Sequence, residues 1–583
     1  MKKTLGVCYY PEQWPREVWE DDARRMSELG LTWARIGEFA WSRLEPSFTR
    51  LEFGWLDEAI DTLARAGLKV VLGTPTATPP RWMPDKHPQM FPVGADGHPR
   101  GFGSRRHYCF SHPGYREECV RIVTALAERY GKHPAVAAWQ SDNEYGCHDT
   151  ALSYSAAARD GFRRWLRARY ADIDALNEQW GNVFWSMEYG DFEQVGLPNL
   201  TVTEPNPAHV LAFRRFSSDQ VVSFNRAQTE IIRAHSDAPI IHNFTGRFGG
   251  FDHFGVGADL DIAAWDSYPL GLLASEVPAT AEHRRRYARA GDPDFQAFHH
   301  DLNRAVGRGR WWVMEQQPGA VNWASYNPAP LAGMVRRWTW EAFEHGAEAV
   351  CYFRWRQARA GQEQMHAGLL LPDGSPAPAF DEVKRVALEI NDAPDVVKYR
   401  GDAAIVFDFD ADFAWGVQPC GAGLDYFGLV FGFYRVLRKL GLKADILPAT
   451  ARDFSGYRVV VAPGLVCMGD ELKDALRGSG VPVIVGPRSG ARDDEMRIPV
   501  PLPPALDGFD VKVAGVETLP FDLPVGVRGG GFIEGYREFL ETTADVIAAD
   551  DDGNAVAVRD GDLCYLAARL DTIALKNILK QLL

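Results

Sequence analysis

The sequence predicts an α/β protein with two parts: a (β/α)8 barrel, or TIM barrel, followed by a smaller doubly wound α/β domain. Three observations support this prediction. The chain has 583 residues, too many for one ordinary domain. In its first two-thirds, eight short β-rich runs alternate with amphipathic helical segments, as in a barrel of parallel strands. The alternation restarts beyond "DAPDVVKYRG", near residues 393 to 400.

The eight strands of the predicted barrel are listed here in chain order. They are residues 4–10, 32–37, 69–75, 136–143, 239–244, 262–268, 310–317 and 350–356. A typical intervening helix is "GWLDEAIDTLARAG", in which Leu56, Ile60 and Leu63 share one face. This region exceeds the roughly 250 residues typical of the fold, so we expect long insertions, the largest between "DNEYG" and "PIIHNF". An open doubly wound sheet is the structural alternative, but no glycine-rich first turn favours it.

The second domain shows the same alternation on a smaller scale. Strands are predicted in "AAIVFDF", "ADILP", "YRVVVAPG" and "PVIVG", with helices in "FGLVFGFYRVLRKLG" and "DELKDALRG". A glycine- and proline-rich insertion at roughly 488–535 precedes strands around "AVAVRDGDLCYLAA" and a last helix, "ALKNILKQLL". We therefore place the domains at residues 1–393 and 394–583.

Composition limits the classes of function. Hydrophobic residues make up 46% and charged residues 24%, which is typical of a soluble globular protein. The net charge of −15 argues against a nucleic-acid partner. No apolar run is long enough to span a membrane, and the start "MKKTLGVCYYPEQW" has no signal-peptide core. The eight scattered cysteines suit free thiols in a reducing compartment, so we expect a cytoplasmic protein.

Two carboxylates close predicted barrel strands. Glu144 ends the fourth strand in "WQSDNEYG", and Glu315 ends the seventh in "WWVMEQQPG". The carboxyl ends of barrel strands form the active-site face, and strands four and seven lie on opposite sides of it. Paired carboxylates across a cleft are suited to glycosidic bond cleavage, with Asn143 beside them to bind a sugar hydroxyl. A glutamate at a strand end is also often only an ion-pair residue, and that interpretation stays open here.

Motifs in order along the chain identify a resemblance. They are "GVCYYPEQWP", "ARIGEFAWSRLEP", "GTPTATPPRWM", "GSRRHYCFSHP", "WQSDNEYGCHDT", "WDSYPLG", "WVMEQQPGAVNWA" and "YFRWRQA…EQMHAG". From residue 5 to about 370 the chain closely resembles glycoside hydrolase family 42, the β-galactosidases. The resemblance implies a retaining, exo-acting enzyme on a galactoside or oligosaccharide substrate. It also implies that the second domain is glutamine-amidotransferase-like and mediates oligomer contacts, so we expect a homotrimer. The family's usual C-terminal β-domain is expected to be absent.

The same resemblance implies a role for each matching residue. Glu144 is expected as acid/base, protonated because burial and the neighbouring carboxylate raise its pKa, and Glu315 as nucleophile. Arg35 is expected to hold Glu315 ionised, and Tyr268 to hydrogen-bond it. The expected sugar-binding residues are Arg105, Asn143, Trp185, Trp323, Phe353, Glu363 and His366. Trp185 matches an aromatic residue that, in some members, comes from a neighbouring subunit.

The chain departs from the family at its structural zinc site. Many members hold zinc with four cysteines, but Ser153, Ser155 and Ala158 stand here where three of them fall, beside Cys109. One thiolate and two hydroxyls do not make such a site, so we predict no metal and no cofactor. A site built from Cys109, Cys147 and His148 is a weaker alternative.

Other functions remain open on the same scaffold. A β-D-fucosidase or an α-L-arabinopyranosidase would use the same carboxylates, because these sugars differ from galactose only at the 5-position substituent. A non-catalytic sugar-binding barrel is disfavoured, since both carboxylates, Arg35 and Tyr268 are all present. Cys467 in "GLVCMG" only loosely matches an amidotransferase nucleophile turn, and we expect an inert thiol.

Overall fold

The computed structural model describes residues 2–396 and 399–583. They divide into two compact units: Met1–Gly161 with Ser217–Tyr399, and Phe162–Phe216 with Arg400–Leu583. Much of the long insertion after the fourth strand therefore groups with the second unit, whereas the sequence analysis assigned it to residues 1–393. A boundary at residue 393 remains a prediction.

A closed barrel of eight parallel strands forms the first unit. The strands are β1 (Thr4–Cys8), β2 (Trp33–Ile36), β3 (Lys69–Gly73), β4 (Val136–Gln140), β5 (Ile240–Phe244), β6 (Ile262–Ser267), β7 (Trp311–Gln316) and β8 (Ala349–Tyr352). They pair in chain order, and β8 closes the ring on β1. Seven of them lie within the predicted runs, and β8 begins one residue before its run, so the barrel prediction is confirmed.

Helices connect the barrel strands and fill the insertions. They are α1 (Trp19–Glu28), α2 (Trp41–Leu44), α3 (Gly54–Arg65), α4 (Trp82–Lys86), α5 (Pro113–Tyr130), α6 (Ala156–Arg167), α7 (Ile173–Trp180), α8 (Pro207–His235), α9 (His253–Gly257), α10 (Pro269–Ser275), α11 (Ala281–Tyr287), α12 (Pro293–Val306), α13 (Met334–Glu344) and α14 (Phe380–Asn391). Along α3, the predicted face of Leu56, Ile60 and Leu63 is buried.

Local sequence signals account for the helix starts. At α12, the Asp292 carboxylate accepts hydrogen bonds from the backbone N–H groups of Asp294 and Phe295, and Pro293 occupies the first helical position. The cap satisfies amides that have no partner within the helix, and the proline has no N–H to satisfy.

Apolar side chains fill the barrel interior below the strand ends. The buried cluster consists of Val71, Ala138, Ile241, Ile262, Ala264, Trp312, Met314, Ala349 and Cys351. The cluster combines small and large side chains, as in the packed interior of a barrel of this size. The polar residues that follow on each strand are therefore displayed above a packed floor.

The second unit contains a seven-stranded sheet in the order β10–β9–β11–β12–β18–β17–β16. Its strands are β9 (Ala403–Phe407), β10 (Ala444–Pro448), β11 (Val459–Ala462), β12 (Val483–Val485), β16 (Asp545–Ala549), β17 (Ala555–Asp560) and β18 (Leu563–Leu566). The first five in spatial order are parallel, and β17 and β16 add antiparallel edges. The helices are α15 (Phe409–Val417), α16 (Tyr426–Lys439), α17 (Asp470–Arg477) and α18 (Thr572–Leu582).

Part of the glycine- and proline-rich insertion is ordered as a second, antiparallel sheet. Its strands are β13 (Val511–Thr518), β14 (Val525–Gly526), β15 (Phe532–Thr542) and β19 (Ala568–Leu570). Buried and exposed positions alternate along β13, so this strand has one face against the protein and one toward solvent. Among the described residues, no helix has the length and apolar character needed to cross a bilayer.

Candidate active site

Three carboxyl groups converge at the carboxyl ends of the barrel strands. Glu144 follows β4, Asp266 lies near the end of β6, and Glu315 lies near the end of β7. One carboxyl oxygen from each lies within 4.8 Å of the other two, and all three side chains are buried. This is the face on which barrel enzymes carry their catalytic residues.

Two arginines and an amide surround the Glu144 carboxylate. Its Oε2 accepts hydrogen bonds from Arg106 Nη2 at 2.5 Å and Asn143 Nδ2 at 3.1 Å. Arg105 Nη1 lies 2.9 Å from the same oxygen. The charged partners are largely shielded from water, since Arg106 is 1% exposed and Glu144 is 7% exposed. These contacts favour the ionised carboxylate.

The turn that presents Glu144 is unusual in its backbone. Asp142 and Glu144 have positive φ angles of 51° and 48°. Arg106 holds this turn from one side, because its Nε and Nη2 donate to the carbonyl oxygens of Glu144 and Asn143, each at 2.9 Å. The Asp142 carboxylate holds it from the other side by accepting from the Asn143 N–H at 2.6 Å. A conformation that L-residues disfavour is thus kept at the site by its neighbours.

Glu315 is held by donors on both of its oxygens. Oε1 accepts from Arg35 Nη2 at 2.7 Å and Asn243 Nδ2 at 3.1 Å, and Oε2 accepts from the Tyr268 hydroxyl at 2.6 Å. Arg35 is fully buried and also contacts Glu38 at 3.0 Å. The contacts predicted for Arg35 and Tyr268 are therefore present.

The pKa of Glu144 differs from the sequence-based expectation. Burial favours its protonated form, but Arg105 and Arg106 outweigh burial and hold its pKa well below the usual range. The expectation of a raised pKa is wrong, because the sequence did not show that both arginines would contact one carboxylate. The pKa of Glu315 is raised by burial and by Glu144, against the opposing effect of Arg35.

Asp266 has the opposite electrostatic environment. Burial, Glu315 and Glu144 raise its pKa well above the usual range. Its Oδ1 accepts from Asn243 Nδ2 at 2.6 Å, and the described structure provides no donor for the buried Oδ2. No arginine or lysine contacts this carboxyl in the hydrogen bonds and ion pairs of the described residues. Asp266 is the carboxyl in the site most strongly biased toward the protonated form.

The predicted sugar-binding residues of the barrel unit gather around the carboxyls. Arg105 and Glu363 line a cleft of about 480 Å³, a volume suited to a small ligand. The Tyr268 ring packs edge-on against Trp323 and His366, with centroids 5.7 and 5.5 Å apart. Phe353 packs against the His366 ring at 4.8 Å.

His366 presents a neutral imidazole to this site. It is 3% exposed, and its Nδ1 is buried without a hydrogen-bond partner in the described structure. Burial, with Arg354 and Arg105 nearby, lowers its pKa to about 3. A neutral ring with a free nitrogen is equipped to exchange a hydrogen bond with a ligand hydroxyl.

Trp185 is the predicted site residue that the barrel unit does not contain. It lies in the segment Phe162–Phe216 of the second unit and is 68% exposed. Its ring contacts Phe184 at a centroid distance of 4.9 Å, and its φ angle is 56°. Its role in binding sugar remains a prediction.

The residues in place of the zinc cysteines come together without forming a thiolate cluster. Ser155 Oγ donates to Cys109 Sγ at 3.3 Å, and Ser153 Oγ accepts from the Val93 N–H at 3.2 Å. Cys147 Sγ lies 3.7 Å from the Thr245 hydroxyl. In the described part of the chain, only Glu144, Asp266 and Glu315 converge closely enough to offer three metal-binding side chains. Their negative charge is already countered by Arg35, Arg105 and Arg106, which disfavours a bound cation.

Cys467 in the second unit resembles a structural thiol. Its Sγ donates to the Asp493 carbonyl oxygen at 3.3 Å. Burial and Asp410 raise its pKa well above the usual range, so little thiolate forms near neutral pH. This environment agrees with the expected inert cysteine.

Sequence reasoning missed three polar residues beside Glu144 and Glu315: Arg106 as a direct partner of Glu144, Asn243 and Asp266. Asn243 connects the cluster, because its Nδ2 lies within 3.1 Å of acceptors on Asn143, Asp266 and Glu315. A signal for the last two was present. "HNF" and "WDS" place a polar residue near the end of an apolar strand, the same pattern that identified Glu144 and Glu315.

Comparison with known proteins agrees with this geometry. The β-galactosidase profile of glycoside hydrolase family 42 matches residues 8–393, and the β-galactosidase trimerisation-domain profile matches residues 401–583. The chain belongs to glycoside hydrolase family 42. The resemblance seen in the sequence motifs is confirmed, and the family's retaining glycoside hydrolase chemistry accounts for the paired carboxylates.

Individual relatives of this family 42 hydrolase are similar over most of their length. A β-galactosidase from Thermus thermophilus is 54% identical over 570 residues, covering 97% of this chain and 88% of the relative. A β-galactosidase from Halorubrum lacusprofundi is 44% identical, with 90% and 76% covered. The crystal structure of a β-galactosidase from the psychrophilic Marinomonas ef1 has a TM-score of 0.96 at 47% identity, covering 99% of this chain and 90% of that one.

Proposed function

We propose that this family 42 enzyme removes terminal β-D-galactose from galactosides with retention of configuration, using Glu315 as nucleophile and Glu144 as acid/base. The observation that carries the proposal is the proximity of Glu144 and Glu315, whose oxygens approach within 4.8 Å. A retaining mechanism uses carboxyls about 5–5.5 Å apart, so that no water fits between the nucleophile and the sugar.

In the first step, the Glu315 carboxylate attacks the anomeric carbon. A bond forms between that carbon and a Glu315 oxygen, and the bond to the leaving-group oxygen breaks. The leaving oxygen takes the bonding electrons and a proton from Glu144. The product of this step is a galactosyl ester of Glu315, and the released alcohol carries the proton.

In the second step, the Glu144 carboxylate takes a proton from a water molecule as that water attacks the anomeric carbon. The ester bond breaks, and Glu315 leaves as a carboxylate. Arg35 and Tyr268 donate to Glu315 at 2.7 and 2.6 Å, so they favour its departure as an anion. Two inversions at one carbon give net retention.

The residues around the cleft are proposed to select the sugar. Arg105 and Asn143 bind hydroxyls near the anomeric carbon, while Glu363 and His366 bind those farther around the ring. Trp323 and Phe353 provide apolar surface for the sugar face. Trp185 is proposed to complete the site from a neighbouring subunit. Recognition of one terminal sugar makes the enzyme exo-acting, so a galacto-oligosaccharide should release only galactose.

The first test compares wild type with Glu315→Gln on an aryl β-galactoside, at equal concentration and with folding verified. We expect turnover to fall by several orders of magnitude, because an amide cannot form the ester intermediate. A dinitrophenyl 2-deoxy-2-fluoro-galactoside should trap the wild type with one sugar attached at Glu315. Full activity of Glu315→Gln would refute the assignment of the nucleophile.

Glu144→Ala tests the acid/base separately. With azide present, the variant should regain turnover of a dinitrophenyl galactoside and release β-galactosyl azide, because azide attacks the intermediate without needing a base. An α-configured azide product, or no intermediate at all, would contradict the assigned mechanism.

The identity of the sugar needs its own comparison. An aryl β-D-fucoside and an aryl α-L-arabinopyranoside keep the galactose hydroxyl pattern but change the 5-position substituent, which is worth only a few kcal/mol. We expect the highest kcat/KM on the galactoside and measurable turnover of the other two. A higher kcat/KM on the arabinopyranoside would keep the mechanism and change the assigned sugar.

The assembly and surroundings of the enzyme complete the proposal. The match to a β-galactosidase trimerisation domain favours a homotrimer. Light scattering should then give three times the chain mass of 65.0 kDa. A cytoplasmic location is supported by eight free cysteines, and cell fractionation tests it. We propose that the enzyme needs no metal.

A further inference from the structure

Asp266 is the one carboxyl of the three-carboxyl cluster (Glu144, Asp266 and Glu315) that the proposed mechanism does not use. It is 1% exposed, and one of its carboxyl oxygens lies within 4.8 Å of an oxygen of the Glu144 carboxyl. One of its oxygens, Oδ1, accepts from Asn243, while the buried Oδ2 has no donor in the described structure. A buried carboxylate oxygen without a donor is unfavourable, but it becomes a donor itself when it carries a hydrogen.

The charges of the cluster decide which carboxyl carries that hydrogen. Three buried carboxyls with oxygens within 4.8 Å of one another cannot all be ionised without strong repulsion. Glu315 contacts Arg35, and Glu144 contacts Arg105 and Arg106. Asp266 contacts an amide instead of a cation. A single proton in the cluster is therefore most stable on Asp266.

We propose that Asp266 is a positioning residue that stores the catalytic proton in the resting enzyme, donates it as a hydrogen bond to Glu144, and transfers it there when substrate binds. This inference rests on the function proposed above. It answers a question that the geometry raises, because two arginines keep Glu144 ionised before substrate arrives, yet the first step needs a proton on Glu144.

Substrate binding supplies the reason for the transfer. Arg105 both contacts Glu144 at 2.9 Å and lines the cleft, so a sugar hydroxyl that accepts from Arg105 competes with Glu144 for this guanidinium. The leaving-group oxygen adds an acceptor beside Glu144. Both changes make the protonated form of Glu144 more favourable and the short transfer from Asp266 possible.

Protons and charges balance through the cycle. The resting cluster has charge −2, with Glu144 and Glu315 ionised and the proton on Asp266. In the galactosyl-enzyme the leaving alcohol has taken that proton, Glu315 is a neutral ester, and Glu144 and Asp266 are ionised, so the charge is again −2. In the second step Glu144 takes a proton from water and returns it to Asp266 as Glu315 becomes a carboxylate.

All ionisable groups around Asp266 act consistently with this order. The pKa of Asp266 is raised by burial, by Glu315 and by Glu144. Tyr268 lies two residues after Asp266. Its pKa is raised well above the usual range by burial and by Glu315, so the hydroxyl stays neutral and can donate a hydrogen bond. The cations are Arg35, Arg105 and Arg106, and each contacts a glutamate.

The test is Asp266→Asn, which keeps the shape and the polar contacts but has no acidic proton. We measure kcat/KM on phenyl β-galactoside, whose leaving group needs a proton, and on dinitrophenyl β-galactoside, whose leaving group does not. We expect a loss of about 100-fold or more on the phenyl substrate, the typical contribution of general acid catalysis. The loss on the dinitrophenyl substrate should stay below about 5-fold.

The pH profile gives a second readout. In Asp266→Asn the proton must be held by Glu144, whose pKa the two arginines lower. The alkaline limb of kcat/KM for the phenyl substrate should therefore move to lower pH than in wild type. Substitution of a residue with only a structural role would lower kcat/KM for both substrates by the same factor and leave the alkaline limb unchanged.

Asp142→Asn is the matched control. Asp142 is also a buried aspartate at the barrel mouth, and its carboxylate accepts from Thr76, Tyr108 and the Asn143 N–H but is outside the three-carboxyl cluster. Asparagine keeps an oxygen that can accept from the Asn143 N–H, so the turn that presents Glu144 is retained. We expect Asp142→Asn to lower kcat/KM for both substrates by the same factor. Equal losses on the two substrates in Asp266→Asn would overturn the inference, as would unchanged activity.

Wild type provides a test that does not depend on a variant folding. Burial raises the pKa of Asp142 to about 6, so it is ionised at about pH 8. With aspartate carboxyls labelled with carbon-13, infrared spectroscopy at that pH should still detect a protonated aspartate, and its absence would overturn the inference. If wild type cleaves neither galactoside, the proposed function itself fails. If wild type cleaves both galactosides but Asp266→Asn loses the same factor in kcat/KM on each, only this inference fails.

Discussion

Replacing Tyr268 by Phe removes one hydrogen-bond donor from Glu315, the proposed nucleophile. The Tyr268 hydroxyl donates to Glu315 Oε2 at 2.6 Å, and its side chain is buried. A hydrogen bond to a charged group is worth about 1.5–3 kcal/mol, and it favours the ionised form of Glu315 over the protonated form. The variant should retain its fold, because Phe occupies the same space and its edge contacts with Trp323 and His366 remain.

The sign of the effect follows from the role of Glu315. The nucleophile must be ionised, so activity is lost as pH falls through its pKa, which burial already raises. Loss of the Tyr268 donor raises that pKa further, so the acidic limb of kcat/KM moves to higher pH. On that limb the rate follows the ionised fraction, and 1.5–3 kcal/mol corresponds to a rate about 10- to 100-fold below wild type.

The assay is kcat/KM on an aryl β-galactoside across the pH range, read with an end-point that does not depend on the ionisation of the released phenol. Tyr9→Phe is the control, because its hydroxyl contacts the Asp22 carboxylate at 3.3 Å, away from the catalytic carboxyls. The control should leave the acidic limb unchanged. Identical acidic limbs for Tyr268→Phe and wild type would refute the assigned contact or the need for an ionised Glu315.

Three further predictions concern stability and metal. Arg106→Met removes the buried guanidinium that donates to the carbonyl oxygens of Asn143 and Glu144 and to Glu144 Oε2. Chemical denaturation should therefore show a loss of about 3–5 kcal/mol, and an unchanged midpoint would contradict the role of Arg106. Gly73→Ala places a Cβ 2.5 Å from the Glu38 Cβ and 2.8 Å from the Glu38 backbone. We expect this overpacking to lower the free energy of unfolding by about 1–3 kcal/mol, which a lower melting temperature would show. The control Gly54→Ala, which has open space around the added Cβ, should cause no similar loss. Dialysis against a chelator should leave turnover and melting temperature unchanged, and restoration of lost activity by zinc would disprove metal independence.

The barrel was predictable because its signals are local. Each strand is a short apolar run, and each intervening helix has an apolar face, as α3 shows with Leu56, Ile60 and Leu63. The segment Phe162–Phe216 groups with the second compact unit, whereas chain order suggests continuity with the barrel. The β13 strand was missed in a segment where glycine and proline dominate the composition.

The candidate site was only partly predictable. Glu144 and Glu315 stand out as acids that end apolar strands, and the contacts of Arg35 and Tyr268 with Glu315 follow the family motifs. Asp266 ends a strand in the same way, but nothing in the local sequence distinguishes it from an acid that faces solvent. Its importance depends on a distance to two residues far away in the chain.

Residue type and local spacing are enough to infer the alternation of strands and helices, the two carboxylates proposed as catalytic and the family. The ionisation pattern of the site depends on the folded arrangement. Both Arg105 and Arg106 contact Glu144, while Asp266 is left with an amide and two neighbouring carboxyls. Electrostatic energy depends on distance and burial in three dimensions, so an order of proton affinity among these carboxyls exists only once the barrel has closed.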